Sequence, residues 1–78
     1  MVLEKVVTII AAQFSVDEDQ LNEDTTFEEL GADELDIAEL ALAIESEFEI
    51  ELQEDEVDRL ADISDLVKII KSTISLAE

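Results

Sequence analysis

The sequence has no cysteine, no histidine and no proline, and only one glycine among its 78 residues. Without cysteine, neither a disulfide framework nor a thiolate metal site can reinforce so short a chain. Without histidine there is no imidazole to serve as a general base, and the commonest zinc ligand is missing. The lack of proline and near lack of glycine, beside abundant Leu, Ile, Ala and Glu, favour helices throughout. Cations are almost as scarce: Lys5, Arg59, Lys68 and Lys71 stand against 23 acidic residues, for a net charge of −19. No apolar run approaches the length of a membrane span, and the N-terminus does not read as a signal peptide. The expectation is one small domain over residues 1–78, a soluble cytoplasmic monomer near the size at which a single core is marginal.

The placement of the charge says more than its total. Residues 6 to 58 hold nineteen carboxylates and no cation. Such a field repels phosphate backbones and anionic membranes, which excludes nucleic acid and lipid surfaces as partners. It attracts proteins with basic patches and speeds their encounter in a salt-dependent way. The plainer reading of the same charge is solubility alone, or a halophilic source.

Along the chain, Leu3, Val6 or Val7, Ile10 and Phe14 fall at helical spacing and give the first helix an apolar stripe. A long acidic loop follows, from Ser15 to Glu23, with Val16 and Leu21 placed to pin it to a core. Thr26 and Glu29 have capping-box spacing for a short turn carrying Phe27 and Leu30, and Gly31 permits the reversal after it. Asp33 is a good N-cap for a second helix from about Glu34 to Phe48, with Leu40, Ala41, Ile44 and Phe48 facing inward. Ile50 and Leu52 alternate along an extended connector. A short third helix is expected over Glu54 to Leu60, with Val57 and Leu60 inward. Asp62 or Ser64 caps a last helix running to about Ile74, with Leu66, Ile69, Ile70 and Ile74 at core spacing. Lys68 and Lys71 are expected toward its C-terminus, where the helix dipole favours cations. The fold class that results is all-α: a small four-helix bundle with a long loop after the first helix and a short third helix.

The stretch Gly31-Ala32-Asp33-Glu34-Leu35-Asp36-Ile37-Ala38-Glu39-Leu40 resembles the attachment motif of the acyl carrier protein family, the phosphopantetheine-attachment-site domain. The Phe48 helix end, the Ile50-Glu51-Leu52 connector, the acidic short helix and the apolar last helix extend the likeness over nearly the whole chain. In that family Asp-Ser-Leu follows a Gly-containing turn, and the serine hydroxyl carries 4'-phosphopantetheine. Here the serine position is Glu34. The resemblance implies a carrier of fatty-acid or polyketide biosynthesis type, whose second helix is read by basic-patched acyl-synthesis enzymes and by the phosphopantetheinyl transferase. The matching partner-binding positions are Asp33, Leu35, Asp36, Glu39, Leu42 and Glu45. Ser46 stands where the family is commonly acidic, and Gln53 where proline is frequent. The resemblance also implies an acyl cleft between the second and third helices and the core, with Leu40, Ile44, Phe48, Ile50, Leu60 and Ile69 as candidate walls. The same six residues suit an ordinary packed core.

A glutamate has no hydroxyl with which to form a stable phosphodiester, and its attack would give a readily hydrolysed acyl phosphate. No prosthetic group is therefore expected on this chain. Ser46 lies about 18 Å further along the same helix at 1.5 Å per residue, and no other hydroxyl shares the helix-start geometry. Glu34 in a first turn is also simply stabilising, by roughly 0.3–1 kcal/mol through the helix dipole. A mimic of the phosphodiester charge and a substitution made by design are the other readings of the same residue.

The alternative to a docking carrier is a non-carrier interaction or scaffold protein built on the carrier fold. Asp17-Glu18-Asp19 and Glu54-Asp55-Glu56 are dense enough to gather divalent cations weakly, but the spacing of a calcium-binding loop is absent and no specific metal site is expected. With no nucleophile beside a base and no phosphate-cradling glycine loop, the chain does not read as an enzyme.

Overall fold

In a chain this poor in glycine and proline, carboxylates do much of the punctuating. The computed structural model describes residues 2–77, with side chains through Ser75, and contains four helices among them. These are α1 (Val2–Phe14), α2 (Glu34–Phe48), α3 (Glu54–Asp58) and α4 (Ile63–Ala77). At the start of α2, the Asp36 N–H donates to Asp33 Oδ1 at 2.9 Å and the Asp33 N–H donates to Asp36 Oδ2 at 3.1 Å. At the start of α4 the same reciprocal pattern joins Asp62 and Asp65, at 2.9 and 3.4 Å. Each pair satisfies N–H groups that a helix start otherwise leaves without a partner. The Ser64 hydroxyl donates to Asp62 Oδ1 at 2.7 Å. That bond first, then the Asp65 N–H and the charge of Lys68, hold the Asp62 carboxyl below its ordinary pKa against a desolvation that opposes them.

Helix ends use the left-handed backbone without glycine. Ser15 (φ 56°) follows α1 and Glu49 (φ 55°) follows α2. The next N–H in each case, from Val16 or Ile50, reaches back five residues to Ala11 O or Glu45 O at 3.1 Å, the longer bond of a Schellman ending. Gly31 (φ 72°) supplies the third left-handed position, in the turn before α2. A Cβ there would meet nothing within 4 Å, so the backbone angle and not crowding is what calls for glycine.

The core gathers Val6 and Ile10 from α1, Leu40 and Ile44 from α2, and Ile63, Leu66 and Ile70 from α4, all fully buried. α1 packs against both α2 and α4. The long loop adds Leu21 and Phe27 to this core and includes one 3-10 turn, Glu18–Gln20. It is laced to the head of α4: Phe27 N–H donates to Ala61 O, Ile63 N–H to Thr25 O and Ser64 N–H to Glu23 O, each at 3.0 Å. An isolated antiparallel bridge pairs Thr26 with Asp62 at the middle of this lacing. Thr25, buried, is itself satisfied by the Asn22 N–H at 3.0 Å on its Oγ1.

Several expectations change. α3 stops at Asp58, so Leu60 lies beyond it, half-buried. The short turn after Thr26 is present as expected, with the Glu29 N–H donating to Thr26 Oγ1 at 3.1 Å. α4 runs to Ala77 because no glycine or proline follows Ile74 to stop it. Lys68 and Lys71 therefore lie in its middle turns, and no cation occupies its last turn, which removes the dipole role expected of them. Asp62 is the residue that caps α4, and Ser64 lies inside the helix. Ile63 and Val67, both buried, widen the apolar face of α4 beyond the four positions read from spacing.

Candidate functional site: the head of α2 and the cleft beside α3

The head of α2 is held from two directions. Its own capping box closes the first turn, and Gln13 of α1 donates from Nε2 to the backbone carbonyl of Asp36 at 2.7 Å. Between these anchors Glu34, the first residue of the helix, is exposed and makes no side-chain hydrogen bond among the described residues. Between Thr26 and Ser46 the sequence has no hydroxyl-bearing residue. The helix head thus presents a carboxylate and offers no alcohol, so its residues do not fit covalent attachment of phosphopantetheine.

The six partner-binding positions separate into two groups. Leu35 and Leu42 are 74% and 66% exposed, the large apolar side chains left open to solvent among the described residues. They lie seven residues apart, two turns along one strip about 10 Å long, with exposed Glu39 between them. The other three carboxylates are committed within the fold. Asp33 and Asp36 form the capping box, and Glu45 accepts the Leu52 N–H on Oε2 at 2.9 Å. That last bond straps the connector against α2 and lets Leu52 reach the core, where it is buried. Further along, Lys5 Nζ approaches Glu47 at 3.7 Å and lies 5.8 Å from the centre of the Phe48 ring, tying the end of α2 to α1.

Beside the head of α2 an open cleft of about 920 Å³ runs to α3, lined by Ala32, Asp33, Glu34, Ile37, Ala38, Glu54, Val57, Asp58 and Leu60. Of the six candidate wall residues only Leu60 faces it. Leu40 and Ile44 are fully buried in the bundle, while Phe48 and Ile50 are half-buried against the core. Ile69 lines a separate shallow groove with Arg59 and Lys68. Leu40 and Ile44 take the packed-core role that the same spacing suits, because residues at the centre of a bundle face one another. The cleft is walled by their neighbours on the helix flank, Ile37 and Ala38, which lie just before Leu40. Val57 was placed inward and does reach the cleft, half-buried. The carboxylates around the cleft do not converge: among the described residues no group of three could hold a metal ion. Nor is any helix there long and apolar enough to cross a membrane.

Known proteins share this fold. The family model described as "Phosphopantetheine attachment site" matches residues 4–70. The acyl carrier protein of Clostridium acetobutylicum is 42% identical over 73 residues, covering 92% of this chain and 95% of that protein. The acyl carrier protein of a Sulfurovum species is 38% identical over 65 residues, covering 82% and 87%. Among solved structures, the crystal structure of an acyl carrier protein from Thermotoga maritima superposes with a TM-score of 0.84 at 27% identity, over 96% of this chain and 88% of that one. The solution structure of the acetyl actinorhodin acyl carrier protein from Streptomyces coelicolor gives 0.63 at 27% identity, over 72% and 65%. Acyl carrier proteins are not enzymes, and the all-helical architecture here is theirs. A matching family model over most of the chain, close curated relatives and a shared fold lead to one conclusion: the chain belongs to the acyl carrier protein family, the proteins of the phosphopantetheine attachment site.

Proposed function

We propose that this chain is an acyl carrier-type docking protein that engages acyl-synthesis enzymes through α2 and, with Glu34 at the family's serine position, carries no phosphopantetheine and no acyl group. The observation that carries this reading is the head of α2, where an exposed carboxylate stands at the first helical position behind an intact capping box. The helix is built and oriented as for a carrier, and only the attachment oxygen is missing. The strip of Leu35, Glu39 and Leu42 supplies two apolar anchors around a charge. That suits a fast, weak encounter with a basic enzyme surface, since rim charges raise the rate of association and small apolar contacts leave dissociation quick. The cation-free span from residue 6 to residue 58 extends the attraction over most of the molecule.

Mass spectrometry tests the covalent half of the proposal. After incubation with coenzyme A and a phosphopantetheinyl transferase, the chain is expected to keep its mass and Glu34→Ser to gain one phosphopantetheine. A gain on the unaltered chain overturns the reading. For the docking half, Glu39→Lys is the informative change, because Glu39 makes no side-chain hydrogen bond or ion pair among the described residues, whereas Asp36→Lys would also break the helix cap. Partners that remain bound to Glu39→Lys, and that are not acyl-synthesis enzymes, favour the scaffold alternative.

A further inference from the structure

The cleft beside α3 is apolar on its floor and acidic on its rim. Ile37, Val57 and Leu60 are half-buried against the core and give their remaining surface to the cleft, with Ala32 and Ala38. Every charged residue that lines it is a carboxylate: Asp33, Glu34, Glu54 and Asp58. Asp33 is committed to the helix cap. Glu34, Glu54 and Asp58 are exposed, and none has a side-chain hydrogen bond or ion pair among the described residues. The nearest cation in sequence, Arg59, faces the other groove, with Lys68 and Ile69. Ala38 joins the cleft to the exposed strip, since it lines the first and stands one turn from both Leu35 and Leu42 in the second.

We propose that this cleft receives one arginine or lysine side chain of the protein that docks on α2. The aliphatic stem lies on Ile37, Val57 and Leu60, and the cationic head reaches Glu34 at the rim. Long basic side chains match such a surface because they bury their methylenes along apolar groups while the charge stays in water. The spread of the rim carboxylates suits a single mobile cation better than a coordinated metal, which requires ligands that converge. The cleft opens beside the Leu35 and Leu42 strip, so a partner seated there has its edge over the cleft mouth. Glu34 thereby becomes a specificity contact, selecting partners with a basic residue at that edge. The inference rests on the docking reading of α2 above.

The test uses the full chain, labelled with nitrogen-15, and the capped peptide acetyl-Leu-Arg-Leu-amide, with citrulline in place of arginine as its neutral counterpart. The arginine peptide is expected to shift amide signals of residues 32–38 and 54–60. The citrulline peptide is expected to bind severalfold more weakly, and so is the arginine peptide on Glu34→Gln. Asp19→Asn, a carboxylate in the long loop remote from the cleft, is expected to leave the affinity unchanged. Equal binding of the two peptides, an unchanged affinity on Glu34→Gln, or shifts spread evenly over the acidic surface would each overturn the proposal. Shifts confined to Leu35, Glu39 and Leu42 would overturn it while leaving α2 docking intact. A phosphopantetheine adduct on the unaltered chain would instead strike the non-carrier reading, independently of where the peptide binds.

Discussion

The two ends of α2 solve opposite problems. At its head the bonds are local: Asp33 and Asp36 satisfy each other's N–H groups, leaving Glu34 and Leu35 free to face solvent. At its tail the bonds run to other elements: Ile44 is fully buried, Glu45 reaches the connector, and Lys5 comes from α1 to Glu47 and Phe48. A helix that must present one end to partners benefits from closing that end on itself. The end that anchors the helix benefits from being tied outward. Stability and recognition are thereby placed on different turns of one helix, and substitutions should separate them.

The largest effect is expected at Ile44→Ala, which opens a cavity in a fully buried position and costs about 2–5 kcal/mol. In a domain this small that is a large share of the total, and chemical denaturation should find the variant close to unfolding in water. Leu35→Ala, at the exposed head, should stay within about 0.5 kcal/mol of the parent in the same measurement. Loss of the strap comes next: Glu45→Ala leaves the Leu52 N–H without its acceptor, a penalty of about 1–3 kcal/mol, and hydrogen exchange at Leu52 should quicken more than at Ile44. Asp33→Ala removes the cap from the head and is expected to lower stability by about 0.5–2 kcal/mol in thermal melts. If Asp33→Ala proved costlier than Ile44→Ala, the division between the two ends would be wrong. The last change runs the other way. Glu49→Gly relieves a side chain held at φ 55° and is expected to raise the melting temperature slightly, the gain of up to about 1–2 kcal/mol being reduced by the greater freedom of glycine in the unfolded chain.

The head of α2 was legible in the sequence because its signals are local. Asp33, Asp36 and the apolar spacing from Leu40 onward identify the helix to the residue, and Gly31 marks the turn before it. The ends of α1 at Phe14 and α2 at Phe48 were legible too, but not what closes them, since Ser15 and Glu49 take a conformation that composition associates with glycine. The expected length of α4 failed for a related reason: nothing in Ser75-Leu76-Ala77 stops a helix, and the lysines placed near its end fall in its middle. The cleft was only partly legible. Periodicity marks which residues face the core, but a cleft is formed where two elements fail to meet, and that depends on how α3 is angled against α2. Leu60, at an apolar spacing, lines the cleft, whereas Ile37 and Ala38 carry no pattern that sets them apart from other flank positions. The committed role of Glu45 was equally hidden, because a carboxylate reserved for a backbone N–H and one left free for a partner look alike in sequence.

The lacing between the long loop and the head of α4 gives the molecule a built-in clock. Phe27, Ile63 and Ser64 donate to carbonyls far away in sequence, and such bonds form only after the chain segments between them have been brought into place. Two of the donors, Phe27 and Ile63, are buried in the core, so the lacing and the packing support each other. The donors' amides should therefore exchange with solvent only when the whole bundle opens, all three at one rate, while the amides at the head of α2 exchange through small local fluctuations. The acidic loop, the least regular part of the fold, would then record its slowest motion.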